Sequence, residues 1–246
     1  MSQVFSLANK KILITGASSG IGRQCAISFS ADGAQLFLNG RDLSRLQDVS
    51  ALCPNSKIIS ADISSVEGRE KIIAEIDSLD GVVLSAGISR NALLKFASDD
   101  DIDSIFETNT ISQIKFVRDL VKQKRLNKSA SIVCLASVAG VISRPAQFAY
   151  ASSKAAIIGF CKSAAVDLSP RKIRINAVSP ALVKTPMNQE FMEKESELCA
   201  ADAKKYLLGH GEAESIANTI HFLLSDASTW ITGTNILVDG GYSCHK

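Results

Sequence analysis

Lys11-Ile12-Leu13-Ile14-Thr15-Gly16-Ala17-Ser18-Ser19-Gly20-Ile21-Gly22 decides the fold. The first five residues are a short apolar run that reads as a strand. Three glycines follow at once, spaced GxxxGxG, and a helical pattern begins within them and runs to about Ala31, where Asp32-Gly33 ends it. Glycine lets the backbone approach an anion such as a pyrophosphate closely. The helix start adds unpaired N–H groups and a partial positive charge. A glycine turn by itself can be purely structural; its place directly after a strand favours the anion.

The same alternation continues outward from this turn. Further strands are predicted at 35–39, 57–60, 82–85, 131–135, 173–178 and 235–238. Helical patterns fall between them, from about Leu43, through Ile72, Ile73 and Ile76, over 100–124, over 148–168 and over 212–224. Continuous apolar strands alternating with helices imply a parallel sheet covered on both faces, wound in both directions from the first strand. No repeat or linker interrupts the pattern, which predicts one domain over 1–246. The polar stretch 185–211 is too long for a plain turn and is expected to carry short helices over a pocket, as a lid.

Bulk properties narrow the class. Apolar residues make up 46% and charged residues 21% of 246, as in an ordinary globular chain, and the net charge of +2 gives no basis for a nucleic-acid or membrane-surface binder. No apolar run reaches membrane-spanning length, and residues 1–10 lack a signal-peptide core. Six cysteines without CxxC or zinc spacing read as core residues in a reducing cytoplasm, with no metal site.

A second motif is Tyr150-Ala151-Ser152-Ser153-Lys154, with Ser137 upstream. Lys154 follows Tyr150 by four positions, which places both on one helix face. A phenol of ordinary pKa near 10 is a poor proton relay at neutral pH, and a nearby cation is expected to lower it. Ser137 is placed to hydrogen-bond the same substrate oxygen. A lone YxxxK is as readily a solvated helix face; the glycine turn and Ser137 shift the reading to hydride transfer between a nicotinamide cofactor and a carbonyl or alcohol. After the second strand stands Asn39-Gly40-Arg41, with no carboxylate for ribose hydroxyls and an arginine suited to a 2′-phosphate. NADP(H) is therefore predicted over NAD(H). The alternative is that Arg41 merely caps the loop beside Asp42.

These residues resemble the short-chain dehydrogenase/reductase family in its classical subgroup. The likeness covers TGASSGIG at 15–22, Ala61-Asp62, Asn109, Ser137, Tyr150, Lys154, Ser179-Pro180, Thr185, Ile231-Thr232-Gly233 and Val238-Asp239-Gly240-Gly241. It implies a Rossmann-type seven-stranded parallel sheet in the order 3-2-1-4-5-6-7 with helices on both faces. It implies Tyr150 as acid/base, Ser137 as positioner of the carbonyl oxygen, and Lys154 on the nicotinamide ribose. Asn109 would bend its helix and hold a water linked to Lys154. Cofactor contacts are implied at Gly16, Ser18, Ser19, Gly20, Ile21, Gly22, Asn39, Arg41, Asp62, Ile63, Ser85, Ala86, Gly87, Pro180, Val183 and Thr185, with Asp62 at the adenine and Ile14 nearby. Two positions depart from the family pattern: Ser85 replaces an asparagine, and Ala181 a glycine after Pro180.

The overall pattern is similar to 3-oxoacyl-(acyl-carrier-protein) reductases, so a small or carrier-bound carbonyl is the expected substrate. Reductases of sugars, steroids or small alcohols share the framework, and a silent NADP-binding regulator is the rival class. Lys122, Lys124, Arg125, Lys128, Arg171, Lys172 and Arg174 read either as a dock for an acidic carrier or, with more weight, as helix-end cations that complement the dipole. Arg144, Phe148 and Met187 are candidate pocket borders. The 148–168 helix is apolar nearly all round, so a neighbouring subunit is expected on one face. The resemblance implies a homotetramer, with a dimer as second choice.

Overall fold

The apolar runs pair side by side as parallel strands in the structure, a computed structural model that describes residues 3–194 and 196–244. The main sheet contains β1 (Lys11–Thr15), β2 (Gln35–Gly40), β3 (Ser56–Ser60), β4 (Leu79–Leu84), β5 (Leu126–Leu135), β6 (Arg174–Pro180) and β9 (Asn235–Val238), in the order β3-β2-β1-β4-β5-β6-β9. Every pairing is parallel. This is the predicted order, β9 being the seventh strand of the sequence reading.

Side chains alternate between the two sheet faces, as strand geometry requires. Leu13, Val82, Leu84, Ile132 and Cys134 face one core. That core is closed by α3 (Val66–Glu75), α5 (Ser112–Lys122) and α6 (Phe148–Leu168), through Ile72, Phe116 and Ile157. Ile12, Ile14, Val83 and Val133 face the other. It is closed by α1 (Gly20–Ala31), α2 (Leu43–Ser50) and α9 (Ala213–Leu224), through Phe29, Leu46 and Ile220. Burial on both faces explains why the strands read as unbroken apolar runs. Helix starts carry side-chain caps: Asp42 accepts from the Arg45 N–H at 3.1 Å, and Ser65 from the Gly68 N–H at 2.9 Å.

Three features differ from the sequence reading. The helix expected over 100–124 is α4 (Asp99–Phe106) and α5 joined by a π-turn at Glu107–Ile111, which contains Asn109. Strands β4 and β5 begin at Leu79 and Leu126, earlier than their apolar runs, because a pairing irregularity between Leu79 and Gly81 absorbs polar residues of β5. The stretch 185–211 does carry short helices, α7 (Gln189–Lys194) and α8 (Ser196–Ala203), and Glu195 within it lies outside the described residues. Its ends are joined by an additional ladder of β7 (Val183–Lys184) and β8 (Gly211–Glu212). No helix among the described residues is long and apolar enough to cross a membrane.

The face of α6 away from the sheet is open in the single chain. Val166 is exposed, and a Cβ added at Gly159 would meet nothing within 4 Å.

Candidate active site

Sequence forces the first turn into close contact with the end of β4. Gly16 has φ +64, and a Cβ on it would stand 2.9 Å from the Ala86 nitrogen. A Cβ on Gly22 would meet the Gly16 carbonyl oxygen at 2.4 Å and Ser85 Oγ at 2.5 Å. The packing admits only glycine at both places. Thr15, which sequence reasoning passed over, ties the turn down. Its Oγ1 accepts from the Ser85 and Ala86 N–H groups at 3.2 and 3.3 Å, and Ser85 Oγ donates to the Thr15 carbonyl at 2.5 Å. The Ser85 hydroxyl is thereby committed to the turn itself. Ser19 precedes α1 in extended conformation and its side chain caps nothing, so the helix start faces the adjoining cleft without a side-chain cap.

That cleft encloses about 290 Å³ along the carboxyl ends of the strands. Gly16, Ser18, Ser19, Gly20, Ile21 and Gly22 form its floor, and Asn39, Arg41, Asp62 and Ile63 its far end. Ser85, Ala86 and Gly87 line the middle; Pro180, Val183 and Thr185 line one wall with Met187. Asn39 Nδ2 donates to the carbonyls of Ile59 and Ala61 at 2.9 and 3.0 Å, so its amide stitches β2 to β3. Arg41 is largely exposed and stands 3.9 Å from the Asp62 carboxylate, a loose pair that leaves the guanidinium available. Burial pushes the Asp62 carboxyl up, but hydrogen bonds from Ser64 and the Arg41 charge outweigh it and hold Asp62 below the usual carboxylate range.

At the other end the cleft is bordered by Ser137, Tyr150 and Lys154. Ser137 follows β5, and its Oγ accepts from the Ala139 N–H at 3.2 Å. Tyr150 lies in the first turn of α6 and Lys154 one turn on. Lys154 Nζ donates to the Leu135 carbonyl at 2.7 Å and stands 5.8 Å from the centroid of the Tyr150 ring. Burial pulls the Lys154 amine down to about 8. Burial likewise pushes the Tyr150 phenol up, against a hydrogen bond with Ser137 that lowers it. The expected lowering of the phenol by Lys154 is thus not what this arrangement produces, because desolvation acts on both groups and the ammonium is bonded to a carbonyl.

Asn109 is fully buried and does not line the cleft. Its Oδ1 accepts from the Ile88 N–H at 2.8 Å, and its Nδ2 donates to the Ile88 carbonyl at 2.9 Å and to Ser153 Oγ at 3.2 Å. It clamps the loop segment that follows Gly87 onto α6. Gln113, one helical turn later, donates from Nε2 to the Ala86 carbonyl at 3.0 Å. Its spacing of four from Asn109 was the available signal.

Other expectations are corrected. Ile14 is fully buried in the core beneath the turn, outside the cleft. Arg144 and Phe148 do not border the cleft; Arg144 instead bonds Tyr206 Oη at 2.8 Å and Tyr242 Oη at 3.0 Å. Arg174 is buried and donates to the Ser225 carbonyl at 3.2 Å, and Arg171 bonds the Leu126 carbonyl. This basic group lies at the amino ends of β5 and β6. Leu126 and Cys134 pair with Leu79 and Leu84, so five residue steps of β4, roughly 17 Å at strand rise, separate it from the cleft. The bonds of Arg171 and Arg174 give these two cations a structural role.

The profile of the enoyl-(acyl carrier protein) reductase family matches residues 16–243. A 3-oxoacyl-(acyl-carrier-protein) reductase of Rickettsia felis is 32% identical over 240 residues, 97% of this chain and 98% of that one. The enzyme of the same name from Thermotoga maritima is 33% identical over 247 residues, covering 96% and 98%. A short-chain type dehydrogenase/reductase from Mycobacterium marinum superposes with a TM-score of 0.89 at 29% identity, over 99% of each chain. ElxO carrying a tyrosine-to-phenylalanine substitution, with NADPH bound, superposes at 0.89 and 27% identity, over 96% of this chain and 100% of that one. On the family match over residues 16–243 and these relatives, the chain belongs to the short-chain dehydrogenase/reductase family of oxidoreductases and is similar within it to 3-oxoacyl-(acyl-carrier-protein) reductases.

Proposed function

We propose that this chain reduces a carbonyl to a secondary alcohol with NADPH, a 3-oxoacyl thioester being the first candidate substrate. One observation carries the reading: Ser137, Tyr150 and Lys154 border the same cleft as the glycine turn and Arg41. The residues fit a dinucleotide. The space a Cβ would fill at Gly16 and Gly22 is closed by backbone, and the uncapped start of α1 faces the floor of the cleft where a pyrophosphate would lie. Gly16 to Gly22 would hold the phosphates, Asp62 and Ile63 the adenine end, and Pro180, Val183 and Thr185 the nicotinamide end. The bound nicotinamide would supply the hydride.

The chain's own part is to orient the carbonyl and deliver a proton. Ser137 donates to the carbonyl oxygen and holds it beside Tyr150. Burial keeps the phenol protonated at neutral pH, which is the form a reduction requires. Lys154, with its amine near 8, is poised to share that proton. Asn109 positions the segment from Gly87 to Ile88 and, through Ser153, the first turns of α6. NADPH over NADH is supported by the lightly held Arg41 and by the absence of a carboxylate at the end of β2. The stretch 185–211 serves as the lid over the substrate. The unpaired cysteines suit a reducing cytoplasm. The open face of α6 is the expected subunit contact, in a homotetramer first and a dimer second.

The test is turnover of NADPH with a panel of 3-oxoacyl thioesters, small ketones and sugars, read by loss of absorbance. Consumption with at least one carbonyl is expected. Tight NADPH binding with no turnover across the panel would instead identify a silent regulator.

A further inference from the structure

The stretch between β7 and β8 holds a second group of chemistry-bearing side chains, none of which borders the cleft. Cys199 lies on α8 and is partly exposed. Its Sγ stands 3.8 Å from Nδ1 of His210. On the other side of the same ring, His210 Nε2 stands 3.4 Å from Asp202 Oδ2. The imidazole and the carboxylate are 7% and 6% exposed. Tyr206 packs edge-on against the His210 ring, with centroids 5.1 Å apart, and holds its plane.

The carboxylate is kept ionised. Asp202 Oδ1 receives Lys205 Nζ at 3.0 Å and faces Arg144 Nη1 at 3.5 Å. Burial pushes the Asp202 carboxyl up, but Lys205 and Arg144 outweigh it and leave it below the usual range. An ionised carboxylate beside Nε2 favours the ring proton on that nitrogen, which turns the Nδ1 lone pair toward the thiol. Thiol, imidazole and carboxylate therefore stand in the order of nucleophile, base and orienting group. The two cations at Asp202 oppose a metal ion at this cluster. Four of the remaining cysteines, at 25, 53, 134 and 161, are buried, and Cys244 is exposed near the end of the chain.

We infer that Cys199 is a reactive thiol that hydroperoxides oxidise, with His210 as its base and Asp202 orienting His210. The thiol proton passes to His210 Nδ1. Sulfur then attacks one peroxide oxygen, a sulfur–oxygen bond forms and the oxygen–oxygen bond breaks. Sulfur gives up two electrons and becomes a sulfenic acid, while the peroxide is reduced. The departing alkoxide or hydroxide takes the proton from His210 and leaves as an alcohol or water. The site lies within the stretch assigned as the lid but uses none of the side chains that border the cleft, so its peroxide chemistry is tested apart from carbonyl reduction.

The experiment treats the whole chain with hydrogen peroxide at neutral pH, traps sulfenic acid with a cyclic 1,3-diketone, and locates the label by peptide mass. Cys244 is the internal standard. Cys199 is expected to be captured about tenfold faster than Cys244, because His210 stands within reach of its proton as a base. His210→Asn should bring the Cys199 rate down to that of Cys244. Equal rates in the unaltered protein overturn the inference. So does an unchanged or faster rate in the folded variant, since exposure alone would then set reactivity. Should His210→Asn not fold, the ratio between the two cysteines in the unaltered chain decides by itself.

Discussion

Lys154 Nζ stands 5.8 Å from the Tyr150 ring centroid, yet gives its hydrogen bond to the carbonyl of Leu135 at 2.7 Å. The pair is desolvated together. Burial disfavours ammonium and phenolate alike, so each is drawn toward its neutral form.

That burial has a pH signature. Below pH 8 the Lys154 amine is charged in both the folded and unfolded chain, and the cost of burying it is present in full. Between about 8 and the ordinary lysine value near 10.5 the unfolded chain binds the extra proton, so this group makes stability rise with pH. The shift corresponds to about 3 kcal/mol, against about 1 for the hydrogen bond lost at Leu135. Lys154→Met should therefore be more stable than the parent by about 2 kcal/mol at pH 7, with the gap closing by pH 10. Urea melts at the two values measure it, and a variant weaker than the parent at pH 7 would reject the buried-charge account.

Tyr150→Phe removes the phenolic proton and little else. Turnover should fall by about 10²- to 10⁴-fold, the range general acid catalysis supplies. NADPH affinity, read by fluorescence titration, should hold. Undiminished turnover would sink the assignment of Tyr150.

Arg41→Ala should weaken NADPH by about tenfold or more, as expected for a lost charge-assisted hydrogen bond, and leave NADH nearly unchanged. The check is the ratio of the two dissociation constants. An equal loss for both cofactors would remove Arg41 from the 2′-phosphate.

Gly22→Ala places a methyl 2.4 Å from the Gly16 carbonyl oxygen, so the turn must shift. A cost of about 1–3 kcal/mol is expected, together with loss of cofactor binding. Thermal melting and NADPH titration of one sample separate the two effects. A variant with parental melting and parental affinity would show that the turn is looser than its contacts imply.

The strands were legible in the sequence because the central ones, β1, β4 and β6 above all, are buried on both faces and read as apolar runs. The cleft was legible because its borders lie at the ends of those strands, where Gly16, Ser137 and Pro180 stand in recognisable company. What escaped depends on partners distant in the chain. Nothing local says that Asn109 grips Ile88 and Ser153 from inside a π-turn, or that the hydroxyl of Ser85 is spent on Thr15. Arg144 reads as a pocket border and Arg174 as a helix-end cation. Arg144 is claimed by two phenols and Arg174 by a carbonyl more than fifty residues away. The proton chemistry of Tyr150 was misjudged for the same reason: spacing gives proximity to Lys154 but not the dielectric around both.

The two-residue ladder between Val183–Lys184 and Gly211–Glu212 fastens both roots of the intervening segment to each other. A tethered excursion of this kind tolerates lengthening cheaply, since each doubling costs only about 0.6 kcal/mol of closure entropy. Evolution or an engineer can exchange residues 186–210 as a cassette, changing the cleft wall at 186–188 while the main sheet keeps its register.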